Sequence, residues 1–195
     1  MIKAIVNDFI THYHENKSPN KYNIFITGGG YSIINLLLKP GASNYLYGIL
    51  SPYSYEATED LLKTINETLD VPSVSEEAVQ KYLKLVSKLG LIGIAISASL
   101  ITYREQHKNN RCYIGIDFGN KIDTIFIDFG PTKSLDRNKK LLVNHYRQIQ
   151  DETIACILLQ YLLNEKLKDI NEFSLPYTDY PIIKLEIKSN IKNVI

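Results

Sequence analysis

The chain has 195 residues, enough for one compact domain with an appendage rather than two full domains. Hydrophobic residues at 45% and charged residues at 22% exclude wholesale disorder. Basic and acidic residues number 22 and 21 (formal charge +1), which excludes the strong basic excess of a dedicated nucleic-acid binder.

Residues 2–17 carry Ile2, Ile5, Val6, Phe9 and Ile10 at helical spacing, and Lys3, Asp8, His12, His14 and Glu15 interrupt any signal-peptide core. Residues 22–27 read as a buried strand that runs into Gly28-Gly29-Gly30, with a short helix over 31–38 stopped by Lys39-Pro40-Gly41. A second strand is expected over 45–53 and helices over 55–69 and 75–89, the latter capped at Ser75 ahead of Glu76 and Glu77. The near-continuous apolar run 91–100 predicts a central strand covered on both faces; with residue 101 it still has only about half the roughly 20 residues of a membrane span. A hairpin follows, strands over 111–118 and 121–129 about Gly119-Asn120, with Asp117 and Asp123 expected to face solvent. Residues 135–167 are helical, with Ile154, Ile157, Leu158, Tyr161 and Leu162 on one face. This order of crossover and hairpin connections predicts an α/β sandwich around a mixed sheet over residues 1–168. Residues 169–195, punctuated by Pro176 and Pro181 and alternating at 183–187 like an edge strand, are set apart as an appendage or linker.

The strongest local feature is the strand–glycine–helix junction at residues 24–32. Backbone N–H groups of Gly28, Gly29 and Gly30, with the hydroxyls of Thr27 and Ser32, favour an anion, most often a phosphate. The bland alternative is a tight turn without ligand, since the junction is neither a Walker A sequence nor a G-x-G-x-x-G fingerprint. Arg104, His107, Lys108 and Arg111 gather after the central strand, where loops of open sheets usually hold ligands. His12 and His14 point to different helix faces, and the aspartates are scattered, so no metal site is expected. Two cysteines are too few for a disulfide framework or a four-cysteine zinc site, and Cys112 and Cys156 read as buried thiols.

Taken in order, Thr27-Gly28-Gly29-Gly30, Pro40-Gly41-Ala42-Ser43, Pro52-Tyr53-Ser54, Ser75-Glu76-Glu77 and the segment 97–111 make the chain resemble the CinA C-terminal domain family over residues 3–165. The resemblance implies an α/β/α sandwich with a mixed sheet. It also implies a link to nicotinamide-nucleotide amidases, which cleave the carboxamide of nicotinamide mononucleotide, and a homodimer or other homo-oligomer. Active members end the first strand in Glu-Ser-Cys-Thr-Gly-Gly, with the serine as proposed nucleophile. Alignment on Thr27-Gly28-Gly29 puts Phe25 at that serine and Ile24 at the glutamate, as in a divergent Thr-Gly-Gly-Gly subgroup. Tyr53 matches the family tyrosine and Ser43 the family Pro-Gly-Ser-Ser turn.

Three readings follow. The first is a phosphorylated pyridine-nucleotide-binding domain with impaired or lost amidase chemistry, its ligand held by Thr27, Gly28, Gly29, Gly30, Ser32, Ser43, Arg104 and Arg111. The second is an active amidase whose nucleophile has moved to Thr27, aided by Tyr53. The third is a non-catalytic interaction module. A cytoplasmic location is expected, with no cofactor, nucleic acid or membrane as partner.

Overall fold

A computed structural model describes residues 2–16, 20–103, 109–131, 140–165, 167, 169–177 and 182–192. Helix α1 (Ile2–Asn16) leads into strand β1 (Lys21–Thr27), the short helix α2 (Ser32–Leu37) and strand β2 (Leu46–Leu50). Helices α3 (Tyr55–Lys63) and α4 (Glu76–Val86) then precede strands β3 (Leu91–Ser99), β4 (Asn110–Asp117) and β5 (Lys121–Gly130). The long helix α5 (Lys140–Leu163) and strand β6 (Lys184–Ile191) complete the domain.

The six strands form one mixed sheet in the order β2-β1-β3-β4-β5-β6. Its first half is parallel: β1 pairs with β2 on one side and with β3 on the other, where Thr27 lies opposite Ser97. The second half, β3 through β6, is antiparallel. Strand β1 is buried from Tyr22 through Ile26, because helices cover both faces at this point. Ile24 and Ile26 pack toward α1, α2 and α5 through Phe9, Ile33 and Ile154. Phe25 and Ala95 pack toward α3 and α4 through Leu62, Val79 and Tyr82. The result is the expected three-layer α/β/α sandwich.

Two helix starts follow from local chemistry. Ser54 and Ser75 sit in extended conformation and accept the N–H groups of Ala57 and Ala78, capping α3 and α4. The stretch set apart at the C terminus supplies the edge strand β6, and Phe173 is buried in the main core.

Asp117 and Asp123 do not face solvent as expected. Both are buried, Asp123 completely, because lysines follow them inward. Lys192 reaches both Asp117 oxygens at 2.7 and 2.8 Å, while Asp123 accepts from Lys121 and from the Tyr161 hydroxyl, each at 2.8 Å. Strand alternation places a side chain on a face but does not reveal whether a partner awaits it there.

Candidate functional site

The strand order reverses at β1: the chain leaves it through α2 toward β2, then crosses by α3 and α4 to β3 on its other side. At such a switch point the connections diverge to opposite faces and leave a crevice beyond the carboxyl ends of the strands. A cavity of about 180 Å³ lies there, lined by Thr27 and Gly28 from the end of β1 and by Ser97 and Ala98 from the end of β3. Tyr53, Ser54 and Tyr55 close one side and Ser73 and Val74 the other, with Tyr82 beneath.

The wall made by residues 73–74 is pinned from below. The Ser73 carbonyl accepts from Ser97 Oγ at 2.7 Å and from Tyr82 Oη at 3.3 Å. The Val74 carbonyl accepts from Arg111 Nη2 at 3.2 Å, which places a guanidinium behind the wall; its Nε is buried without a hydrogen-bond partner. Tyr53 is 80% exposed at the mouth, its ring 6.4 Å from that of Tyr31 and tilted 32° to it.

Eight lining residues carry a hydroxyl, Thr27, Tyr53, Ser54, Tyr55, Thr58, Ser73, Tyr82 and Ser97, and those of Tyr55, Thr58, Tyr82 and Ser97 donate to carbonyls of the chain itself. Among the described residues, no carboxylate, ammonium, guanidinium or imidazole lines it. Burial pushes the Tyr82 phenol up, and the Tyr55 phenol is raised by its hydrogen bond to Glu59 and then by burial, so neither serves as a base near neutral pH. Phe25 itself does not line the cavity: it is buried behind Tyr82, stacked on that ring at 4.5 Å with the planes 20° apart.

The glycine turn has a different occupant from the one its sequence suggests. Asp151 of α5 places its carboxylate in the bend, where Oδ1 accepts from Gly30 N at 2.6 Å and Tyr31 N at 3.1 Å, and Oδ2 from Ser32 N at 2.6 Å. The anion favoured by this junction is thus supplied by the chain itself. The Gly28 carbonyl is also engaged, by Arg147 Nη2 at 3.0 Å. Glycine at position 28 has a steric cause, since φ is +75° and a Cβ would lie 1.9 Å from the Ala98 carbonyl oxygen.

Thr27, Tyr53 and Gly28 therefore share one cavity, and Arg111 stands directly behind its wall. Gly29 is buried against Leu100, Gly30 and Ser32 donate to Asp151, and Ser43 stays on an exposed 3-10 turn outside the lining. Arg104, His107 and Lys108 lie outside the described residues. Two contributors had no distinct sequence signal. Asp151 is one acid in a long helix, and Ser73 is one serine in a loop, fixed at the cavity wall by the bonds its carbonyl accepts.

No protein-family model matches the sequence, and no curated protein is detectably similar to it. Solved structures do match. A competence-damaged protein (CinA) superfamily protein from Klebsiella pneumoniae is 16% identical with a TM-score of 0.56, covering 84% of this chain and 98% of its own. The competence/damage inducible protein CihA of Agrobacterium tumefaciens is 14% identical with a TM-score of 0.53, over 82% of this chain and 95% of its own. A CinA superfamily protein from Escherichia coli is 11% identical with a TM-score of 0.56, over 82% of this chain and 90% of its own. At such identities the likeness establishes a shared CinA fold.

Proposed function

We propose that this CinA-fold domain binds a phosphorylated nucleotide, with a pyridine nucleotide as the first candidate, in the crevice between the ends of β1 and β3, and that it does not hydrolyse it. One observation carries this reading: the switch-point cavity has eight hydroxyl-bearing residues in its lining, with an exposed tyrosine at its mouth and, among the described residues, no acid–base pair in its wall. Such a lining suits hydrogen bonds to a ribose and stacking on a base. The phosphate has two sources of positive potential, the N-terminal turn of α3 at Ser54-Tyr55 and the Arg111 guanidinium behind Val74.

Loss of turnover is argued from Phe25. A covalent nucleophile is worth several orders of magnitude in rate, each factor of ten being about 1.4 kcal/mol of barrier. Thr27 does not replace it, because a threonine hydroxyl needs a base to accept its proton and none lines the cavity among the described residues.

Thermal denaturation with millimolar nicotinamide mononucleotide, nicotinate mononucleotide, nicotinamide riboside and inorganic phosphate tests the binding claim. A rise in Tm with the mononucleotides, larger than with the riboside, is expected. No shift with any of these ligands contradicts it. In parallel, ammonia release from nicotinamide mononucleotide should stay at background; turnover abolished by Thr27→Ala would reinstate the amidase reading.

A further inference from the structure

Strand β6 ends the sheet, and no strand lies beyond it among the described residues. Just after β6, Lys192 directs its N–H to the Asn120 carbonyl on the β5 side. The two-residue alternation of an antiparallel ladder then aims the N–H and C=O groups of Leu185, Ile187, Ser189 and Ile191 outward. An open row of this kind is a template for another strand, and proteins usually guard it with short edges or charged side chains, lysine above all. Here the edge is eight residues long. Its lysines already have partners: Lys184 lies 2.5 Å from Glu186 and Lys188 2.8 Å from Glu76. Apolar side chains are exposed at both ends, Ile183 by 60% and Ile191 by 85%.

We propose that β6 pairs antiparallel with β6 of a second copy of this chain, about a two-fold axis at Ile187. In that register each Glu186 faces the partner's Lys188, so the pairing gains two opposite-charge contacts, one on each side of the axis. Ile187 meets the partner's Ile187 in the middle, and each exposed Ile191 comes opposite the partner's Ile183 just outside the ladder, where the Ile183 N–H is held by the Asp128 carbonyl. Leu185 lies opposite the partner's Ser189, and Lys184 opposite the partner's Asn190. Neighbouring registers cover less of the edge. An axis at Glu186 sets Glu186 on Glu186 and Lys184 on Lys188, and an axis at Lys188 sets lysine on lysine. An axis at Leu185 also sets Lys184 opposite Glu186 but leaves Ile191 uncovered, and an axis at Ser189 sets Glu186 opposite Lys192 but leaves Ile183 uncovered. The register about Ile187 combines opposite charges with an apolar neighbour at both ends, and the two sheets join there into one continuous sheet. This surface lies across the sheet from the cavity at β1, so the proposal stands or falls independently of the nucleotide reading.

Sedimentation velocity over a concentration series tests the pairing through charge reversal. Wild type is expected to be a reversible dimer. Glu186→Lys alone or Lys188→Glu alone creates two like-charge pairs across the axis and should weaken dimerisation by about tenfold or more. The double reversal, Glu186→Lys with Lys188→Glu, restores opposite charges and should recover the dimer. Circular dichroism confirms that each variant is folded. A second readout fixes the axis: mild oxidation of Ile187→Cys should give a covalent dimer, because that residue faces its own counterpart, whereas Ser189→Cys should not. Cys112 and Cys156 are buried and contribute no background. A wild type that remains monomeric at every concentration overturns the proposal. So does a dimer indifferent to both single reversals that fails to cross-link at position 187.

Discussion

Asp151 shows how a side chain can stand in for a ligand. Three backbone N–H groups at the start of α2 converge on its carboxylate, and an ionised acceptor makes each bond stronger than a neutral one. Removing it leaves those donors partly buried and unmatched, so Asp151→Ala should cost about 2–3 kcal/mol in denaturant unfolding. High acetate should return part of that loss; a variant as stable as wild type would show the bend does not depend on the carboxylate. Gly28→Ala is a second residue-scale test. Left-handed backbone costs about 1–2 kcal/mol and the clash with Ala98 adds about 1–3 kcal/mol, so a loss of about 3 kcal/mol or more is expected from equilibrium unfolding. Phe25 was legible in the sequence as a buried strand residue, because the apolar run of β1 decides it. Asp151 was not, because its partners are 119 to 121 residues away in the chain. Only the fold brings that acid to the glycines.

At the scale of elements, period and punctuation were enough for most of the sandwich. The apolar run of β3, the alternation of β4 and β5 about Gly119-Asn120, and the Ser75 cap of α4 all lie where local chemistry requires them. What local chemistry did not supply was the inward turn of Asp117 and Asp123, which depends on Lys192 just beyond β6 for the first, and for the second on Tyr161 of α5 together with Lys121 of the same strand. Burial alone would raise both carboxyls. Lys192 with Ser87 and Gly119, and Lys121 with Ser189 and Tyr161, outweigh it and hold both below the usual carboxylate range. A carboxyl lowered in the folded state stabilises fully above its unfolded pKa of about 3.9 and loses that contribution as pH falls through the lower folded value. Acidification from pH 5 to pH 2 should therefore lower the Tm of wild type more than that of Asp117→Asn; equal losses would contradict this role. Helix α3 adds a test of the phosphate. Glu56 in its first turn is held low by its own backbone N–H and then by the Ser54 hydroxyl, and so competes for the same positive end. Glu56→Gln should tighten a mononucleotide more than the corresponding nucleoside, as read by titration; equal effects would place the phosphate elsewhere.

For the molecule as a whole, the mixed topology creates both of its distinctive surfaces. The parallel half reverses direction at β1 and opens a crevice, while the antiparallel half runs out to a bare edge at β6. The fold class was readable because crossover and hairpin connections leave different spacings between strands. The cavity was readable only in part: Thr27, Gly28 and Tyr53 fall in it, yet its walls are drawn from six separate stretches of chain. Calorimetric titration of nicotinamide mononucleotide into wild type and into Tyr53→Ala decides whether the crevice at β1 holds a nucleotide. Saturable binding with one ligand per chain, weakened about tenfold or more by losing the aromatic platform, is the predicted result. Absence of binding to wild type, or an affinity unchanged in Tyr53→Ala, would contradict it.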